Sequence, residues 1–358
     1  MRPPRIAVIG AGVAGAACAA GLLLAGVDVT VFDKSRGVGG RLATRRAEWT
    51  DVDGTLRTAE FDHGCPHFTV SRPRFQAVID RAEARGVVAR WRQRVSARFP
   101  AGGWRHGVVP TSNMPAFCRH LLSGVPLRLG QAVTSLQRAA DGWRLLLSDG
   151  RAEGPFDQVM LAIPAPQATT LLAGHENDWA ASLASAPMTP CWTLMAVTDE
   201  PDWPWDMAEI ERGALAVVVR NDRKPARQAP PGLAHWVAHA TPTWSCAHLE
   251  DEPAQVTELL RAALEKLLPG TESLRWHHSG VHRWRYARLT QPAPEGIDCW
   301  WNAGLGLGVC GDAFGDGSVE AAWCSGDELA DAIAAVLDVA PDHDPAFDPS
   351  PALADPVH

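Results

Sequence analysis

One stretch near the amino terminus limits the architecture more than any other feature. Arg5-Ile6-Ala7-Val8-Ile9 is a short β-branched run of the kind buried on both faces of a parallel sheet. Gly10-Ala11-Gly12-Val13-Ala14-Gly15 follows, then Ala- and Leu-rich sequence that can run as a helix to Ala25, with Gly26 as its stop. Residues 27–32 read as a second strand ending at Asp33, 18 residues after Gly15. Strand, G-x-G-x-x-G, helix, strand and acid in this order form a dinucleotide-binding unit. Gly10 permits the tight turn, and Gly12 and the backbone of Ala14 lie where a pyrophosphate meets the helix N-terminus. Gly15 allows close helix–strand packing, and Asp33 can accept from an adenosine ribose. Residues 6–27 carry no charge, a run long enough for a membrane span or a signal segment, but the glycines and β-branched runs argue for strand–helix–strand.

Charge narrows the partners. Lys and Arg number 33 against 41 Asp and Glu, a net charge of −8, so no general attraction to nucleic acid or anionic lipid is expected. Only Lys34, Lys224 and Lys266 are lysines. The eight cysteines form no C-x-x-C pair, and His63, His67, His277, His278 and His282 lack ligand spacing, so no metal site is expected. Scattered thiols fit a reducing, cytoplasmic setting.

The next stretch, Lys34-Ser35-Arg36-Gly37-Val38-Gly39-Gly40-Arg41, bares the backbone a second time, and Arg41 can reach a diphosphate. A nicotinamide dehydrogenase has no need of this second loop. FAD-dependent amine oxidases and their relatives carry one, and the chain resembles that superfamily. About 270 residues later, Gly308-Val309-Cys310-Gly311-Asp312-Ala313 reads as a buried strand ending in Gly-Asp, before a helix over 319–336. This resembles the C-terminal flavin motif. The resemblance implies FAD, held non-covalently, with Gly311 and Asp312 at its ribityl–pyrophosphate part and the backbone of Val319, Glu320 and Ala322 at the flavin pyrimidine edge.

The expected fold is α/β. A Rossmann-like FAD-binding domain of the glutathione-reductase/p-hydroxybenzoate-hydroxylase type joins an α+β substrate domain built on a mixed or antiparallel sheet. Hairpin cues at Asp141-Gly142 and Asp149-Gly150 suggest a small meander, and residues 158–163 a buried strand stopped by Pro164. The FAD domain is expected to be discontinuous, over 1–70, 111–165 and 296–338, with 71–110 and 166–295 as substrate domain and 339–358 a poorly ordered tail. In the substrate domain, residues 75–85 and 253–268 are helical, and 214–219, 233–240 and 281–288 are strands. Val256, Leu259, Leu260, Ala263, Leu264 and Leu267 make an apolar stripe at helical spacing, which is core.

Further motifs narrow the family. Residues 162–168 (Ala-Ile-Pro-Ala-Pro-Gln-Ala), 220–225 (Arg-Asn-Asp-Arg-Lys-Pro), His239-Ala240-Thr241 with Trp244-Ser245, and 282–288 (His-Arg-Trp-Arg-Tyr-Ala-Arg) together resemble bacterial renalases. That resemblance implies an oxidase of mis-reduced dinucleotides, the 2- and 6-dihydro isomers of NAD(P), passing hydride to flavin N5 and electrons to O2 to give H2O2. It further implies Asp62, Gly64 and, through superfamily analogy, Val133 as flavin contacts, with Asn221 and His239 near the nicotinamide carboxamide. Lys224, Trp284, Tyr286 and His67 are the expected pocket residues. A dihydropyridine that becomes aromatic on losing hydride needs no general base, which agrees with the missing acid–base dyad. One departure stands out. After Asp62 the chain reads His63-Gly64-Cys65-Pro66-His67-Phe68 where renalases often show Gly-Ala-Gln-Tyr-like sequence, which bears on substrate and not on flavin. Two other readings stay open: an amine oxidase or desaturase of the same superfamily, for which Lys224 is the available lysine, and a non-catalytic flavin sensor. Oligomeric state is not legible.

Overall fold

The computed structural model describes residues 3–51, 53–96, 103–185, 187–268, 274–290 and 296–337. The expected tail lies outside the described residues. A six-stranded sheet runs in the order Trp300–Asn302, Leu307–Val309, Gln158–Leu161, Arg5–Ile9, Asp28–Asp33, Leu127–Leu129. All its pairings are parallel except that of Trp300–Asn302 with Leu307–Val309. Arg5–Ile9 is central, so Ile6, Ala7 and Val8 are completely buried, as a β-branched strand covered on both faces should be. The uncharged amino-terminal run is therefore strand, helix and strand. No helix among the described residues is long and apolar enough to cross a membrane.

The helix Val13–Leu24 lies between this sheet and the C-terminal helix Val319–Val336. Its small residues make that possible. A Cβ on Gly326 would come within 2.0 Å of the Ala14 carbonyl oxygen, and one on Gly21 within 2.7 Å of the Ala330 methyl. The two helices thus touch backbone to backbone, a contact only glycine allows.

Antiparallel strands Val133–Ala139, Gly142–Leu147 and Ala152–Phe156 form the expected meander. A second, seven-stranded sheet orders Trp276–Leu289, Met188–Asp199, Leu233–Ala240, Leu215–Arg220, Met207–Glu209, Val88–Val95 and Gly103–Pro110. It is mixed, because Met207–Glu209 pairs parallel to Val88–Val95. The helix Pro253–Glu265 covers one face, burying Val256, Leu260 and Leu264 against Trp236, Ala238 and Ala240. Leu259, expected in that stripe, is 40% exposed: positions four apart point straight at the sheet, and 259 falls at the stripe's margin.

The other face of the sheet carries the hairpin Arg45–Thr50/Leu56–Phe61, whose Trp49, Ala59 and Phe61 pack on Met195, Val197 and Val237. Asp51 in the hairpin turn accepts from Arg57 Nε at 2.8 Å and meets His277 Nδ1 at 3.0 Å, while His277 Nε2 meets Asp199 at 2.8 Å. Burial pulls the His277 pKa down, but the two carboxylates outweigh it and hold it above the ordinary value.

Packing does not break at residues 70 and 165, where the domain boundaries were expected. The helix Pro73–Ala84 sends Phe75, Ile79 and Ala82 into the core of the amino-terminal helix. The helices Ala165–Leu172 and Asn177–Ala184 send Ala168, Leu171, Leu172 and Leu183 into the core beneath the meander. Each is a short amphipathic helix whose apolar side follows the nearest uncovered sheet.

Candidate active site

Gly10 turns the chain out of the first strand at φ +113°, and a Cβ there would lie 2.3 Å from the Ala162 carbonyl oxygen. A Cβ on Gly15 would lie 1.9 Å from the Gly10 oxygen, so the helix sits directly on the turn. That helix begins at Gly12 with no side-chain cap, leaving first-turn amides and the positive dipole end for an anion. The second glycine loop comes to the same place: a Cβ on Gly40, at φ +57°, would stand 3.2 Å from the Gly12 Cα. Asp33 Oδ2 accepts from the Ala11 amide and Oδ1 from the Ser35 amide, both at 2.7 Å. Each oxygen keeps a lone pair for a ribose hydroxyl. The Gln131 amide donates to the Asp33 carbonyl at 2.9 Å, which brings Val133, two residues on, to the same rim. Lys34 is exposed there.

Arg41 departs from its expected part. Its fork grips Asp312 in a bidentate pair at 2.6 and 2.7 Å, and Nη1 also reaches the Ala287 carbonyl at 3.2 Å. It therefore joins two motifs 271 residues apart, with its Nη1–Nη2 edge committed to Asp312. Gly311 donates its amide to Ser325 Oγ at 2.9 Å, which seats Asp312 beside the last helix. At that helix start, Ser318 Oγ accepts from the Ala321 amide at 3.0 Å and the Ser318 carbonyl from the Ala322 amide at 3.1 Å. Ala322, expected at the flavin edge, spends its N–H inside the helix, because the first i→i+4 bond closes on the N-cap carbonyl. The amides of Val319 and Glu320 are left. The Glu320 carboxylate accepts from the Ser71 and Arg72 amides at 2.8 Å, pinning the entry of the helix Pro73–Ala84.

Between the two sheets, residues 62–65 zip onto 41–44. The Cys65 amide donates to the Arg41 carbonyl at 2.9 Å, and a Cβ on Gly64 would lie 2.0 Å from that oxygen. Asp62 is fully buried; it accepts from Thr44 Oγ1 at 2.6 Å, Lys224 Nζ at 3.0 Å and Arg227 Nε at 3.2 Å. Burial pushes the Asp62 carboxyl up, but the Lys224 and Arg227 charges and the Thr44 hydroxyl hold it below the usual range. Lys224 is itself buried, with its pKa lowered by burial against the pull of Asp62. It is thus neither a solvated loop charge nor an open anion site. Asn221 is corrected as well. Its Oδ1 accepts from the Asp62 amide at 3.2 Å and its Nδ2 donates to the Glu60 carbonyl at 3.0 Å, so both ends of the amide hold the hairpin in place. A cavity of about 350 Å³ opens beside this clasp, lined by Arg46, Glu60, Asn221, Arg227 and His235 among others. It touches none of the glycine motifs, His63, His239 or Trp284.

The remaining pocket residues meet. His63 stacks on Trp284 with ring centroids 5.1 Å apart and edges His282 at 4.7 Å, and Trp284 Nε1 donates to the His63 carbonyl at 3.1 Å. Cross-strand register sets His239 opposite Thr193, and Thr193 opposite His282. Burial pulls the pKa of His63 to about 4 and of His239 to about 3, so both rings are neutral. His63 Nδ1 and His239 Nε2 are buried without a hydrogen-bond partner. His67 edges Trp91 at 5.8 Å, its Nδ1 also unpartnered, beside Gln93, whose amide has no partner either. Its seat depends on Gly107, where a Cβ would lie 2.6 Å from the His67 ring. Sequence reasoning missed Thr44, Gln93, Trp91, Gly107 and Gly326. Only Gly326, a glycine inside a helical pattern, carries a local signal of close approach. Tyr286 lies two residues beyond Trp284, half-buried.

An uncapped helix start, two glycine loops and a ribose acid fit the diphosphate and ribose of FAD, and the Asp312 motif fits its ribityl end. The fold and this cradle define an FAD-dependent oxidoreductase with a Rossmann-like nucleotide-binding domain. A model of flavin-containing amine oxidoreductases matches residues 92–334, and the chain belongs to that family. A model of the NAD(P)-binding Rossmann-like domain matches residues 8–82. Among curated proteins, the chain is similar to a tRNA 5-methylaminomethyl-2-thiouridine biosynthesis bifunctional protein MnmC of Magnetococcus marinus, 25% identical over 198 residues. That match covers 45% of this chain but only 29% of the relative. Among solved structures, cyclohexylamine oxidase of Brevibacterium oxydans aligns at a TM-score of 0.67 and 12% identity, over 94% of this chain and 100% of that one. A reduced UDP-galactopyranose mutase aligns at 0.66 and 12%, over 98% and 97%. At such identities the likeness speaks for fold alone.

Asp312→Ala is expected to purify with little FAD, since the ribityl end loses an acceptor and Arg41 its carboxylate. A loss of about 2 kcal/mol in FAD binding is anticipated for a charge-assisted contact. The ratio of flavin to protein absorbance reads it, and wild-type occupancy would remove Asp312 from the cradle.

Proposed function

We propose that this chain oxidises mis-reduced NAD(P), the 2- and 6-dihydro isomers, as the renalase-like motifs imply. The observation that carries the reading is the chemistry of the wall formed by His63, His239 and Trp284. It presents neutral imidazoles with unpartnered buried nitrogens beside a flat indole, which suits a carboxamide on an aromatic ring. The carboxylate nearest this wall, Asp62, is saturated by Thr44, Lys224 and Arg227, so it offers nothing to a protonated amine. Lys224, the lysine an amine-oxidase reading would require, is locked in the same cluster. FAD held by this cradle would supply a two-electron acceptor for the hydride of the dihydropyridine, with O2 and one solvent proton completing the turnover to H2O2. The protein's part is to orient the ring and exclude water, since aromatisation drives the step without a general base. A discontinuous FAD domain, non-covalent flavin and a cytoplasmic setting complete the proposal.

The test is anaerobic mixing of the yellow holoprotein with 6-dihydro-NAD while following flavin absorbance. Rapid bleaching, with peroxide on admitting air, is expected; bleaching by amines alone would overturn the reading. His239→Ala should slow bleaching about tenfold, the worth of one buried hydrogen bond, without altering the bound-flavin spectrum. An unchanged rate would return His239 to packing.

A further inference from the structure

Three arginines follow one another closely on the edge strand Trp276–Leu289, and only two of them have carboxylate partners. Arg283 and Arg285 both reach Glu250, at 3.2 and 2.7 Å, on the outer side of the sheet. Arg288 is exposed and, among the described residues, its guanidinium makes no ion pair or hydrogen bond. Its place is distinctive. The carbonyl of its neighbour Ala287 accepts from Arg41, the residue that grips Asp312, so Arg288 stands at the end of the strand nearest the flavin cradle. Its backbone carbonyl accepts from Thr189 Oγ1 at 3.4 Å, at the start of the adjoining strand.

The charge of Arg288 reaches the pocket wall. Burial is the main cause of the low pKa of His239, with the Arg288 charge next, and burial raises the Cys191 pKa against the opposing pull of Arg288. Arg288 also bears on Cys65, after burial, Lys224 and the His67 backbone. Lys224 and Arg227 are committed to Asp62 and Arg41 pairs with Asp312, while Arg45, whose charge also bears on His63 and His282, is exposed on the hairpin away from the Arg41–Asp312 pair. At the cradle end of its strand Arg288 therefore offers a guanidinium with no carboxylate partner among the described residues, whose planar fork matches a phosphate and repels an ammonium.

We infer that Arg288 is a specificity-determining residue that binds a phosphate of the dinucleotide substrate while the nicotinamide ring lies against His63 and Trp284. This rests on the proposed oxidation of dihydronicotinamides and adds to it what selects a phosphorylated substrate over the bare ring. The same cation–phosphate chemistry could be met by the diphosphate of FAD, so the experiment separates the two sources.

Wild-type and Arg288→Gln holoenzymes are compared in anaerobic flavin bleaching with 6-dihydro-NAD and with phosphate-free N-methyl-1,6-dihydronicotinamide. For the dinucleotide, half-saturation should rise about tenfold in the variant, as for an exposed charge-assisted contact, with the limiting rate kept. The phosphate-free compound should react equally with both, and the variant should lose the salt dependence of dinucleotide binding. Unchanged dinucleotide saturation, or equal weakening for both compounds, overturns the inference while the proposed reaction stands. Loss of FAD from the variant assigns the cation to the cofactor and overturns it likewise. A wild-type flavin bleached by neither compound overturns the reaction and the inference together.

Discussion

Asp62→Ala is expected to destabilise the protein by about 3–5 kcal/mol, the cost of leaving a buried pair with one partner removed. Two cations depend on that carboxylate, Lys224 at 3.0 Å and Arg227 at 3.1 Å, and Lys224 and Asp62 have no exposed side-chain surface. Lys224→Met should cost less, because Asp62 keeps Arg227 and Thr44. The double variant should be less destabilised than the sum of the singles, since the lysine no longer needs a counter-ion. Urea denaturation reads all three, and an Asp62→Ala midpoint close to wild type would mean that the cluster is hydrated. The pH dependence has a definite sign. Asp62 is held below its unfolded value, so its contribution is fully present above about pH 4 and is lost as pH falls through the depressed folded pKa. Acid unfolding of Asp62→Asn should correspondingly be shallower than that of the wild type.

Gly326→Ala is expected to have an effect of similar size by a different route. The new Cβ would stand 2.0 Å from the Ala14 oxygen and 2.8 Å from its carbonyl carbon, so the two helices must separate. Overpacking against backbone, which cannot change rotamer, should cost about 3 kcal/mol or more. Because the helix Val13–Leu24 presents its start to the FAD diphosphate, flavin content should fall with thermal stability. Gly21→Ala supplies the contrast. Its Cβ would meet the Ala330 methyl at 2.7 Å, so Gly21→Ala combined with Ala330→Gly should recover stability. For Gly326 no side-chain partner exists to shorten. Normal flavin content and melting in Gly326→Ala would mean that the helices can slide apart freely.

The amino-terminal unit was legible because each of its parts is local. A β-branched run, a glycine triplet and an acid at fixed spacing dictate strand, turn, helix and strand whatever surrounds them. The meander was legible for the same reason, through its turn residues. The strand Leu233–Ala240 was legible as well, and its side chains alternate, with Trp236 and Ala238 against the covering helix and Val237 against the hairpin. Met188–Asp199 could not be found that way. It lies second from the edge of the second sheet and is buried on both faces, so its burial does not alternate. Asn221 and Lys224 were read as pocket residues from motif resemblance, yet their side chains end on Glu60 and Asp62, about 160 positions away.

Sequence by itself determined the nucleotide-binding unit, its cofactor and the superfamily, because those depend on backbone conformations that glycine and spacing encode locally. Tertiary structure alone decided which polar groups are spent and which are free. Arg41 was taken by Asp312, Asn221 and Lys224 by the hairpin around Asp62, and the Ala322 amide by Ser318. One ring nitrogen each of His63 and His239, and among the described residues the Arg288 guanidinium, were left without a hydrogen-bond partner. Residue type states what a side chain can bond, but only the long-range packing of two sheets determines whether a partner arrives.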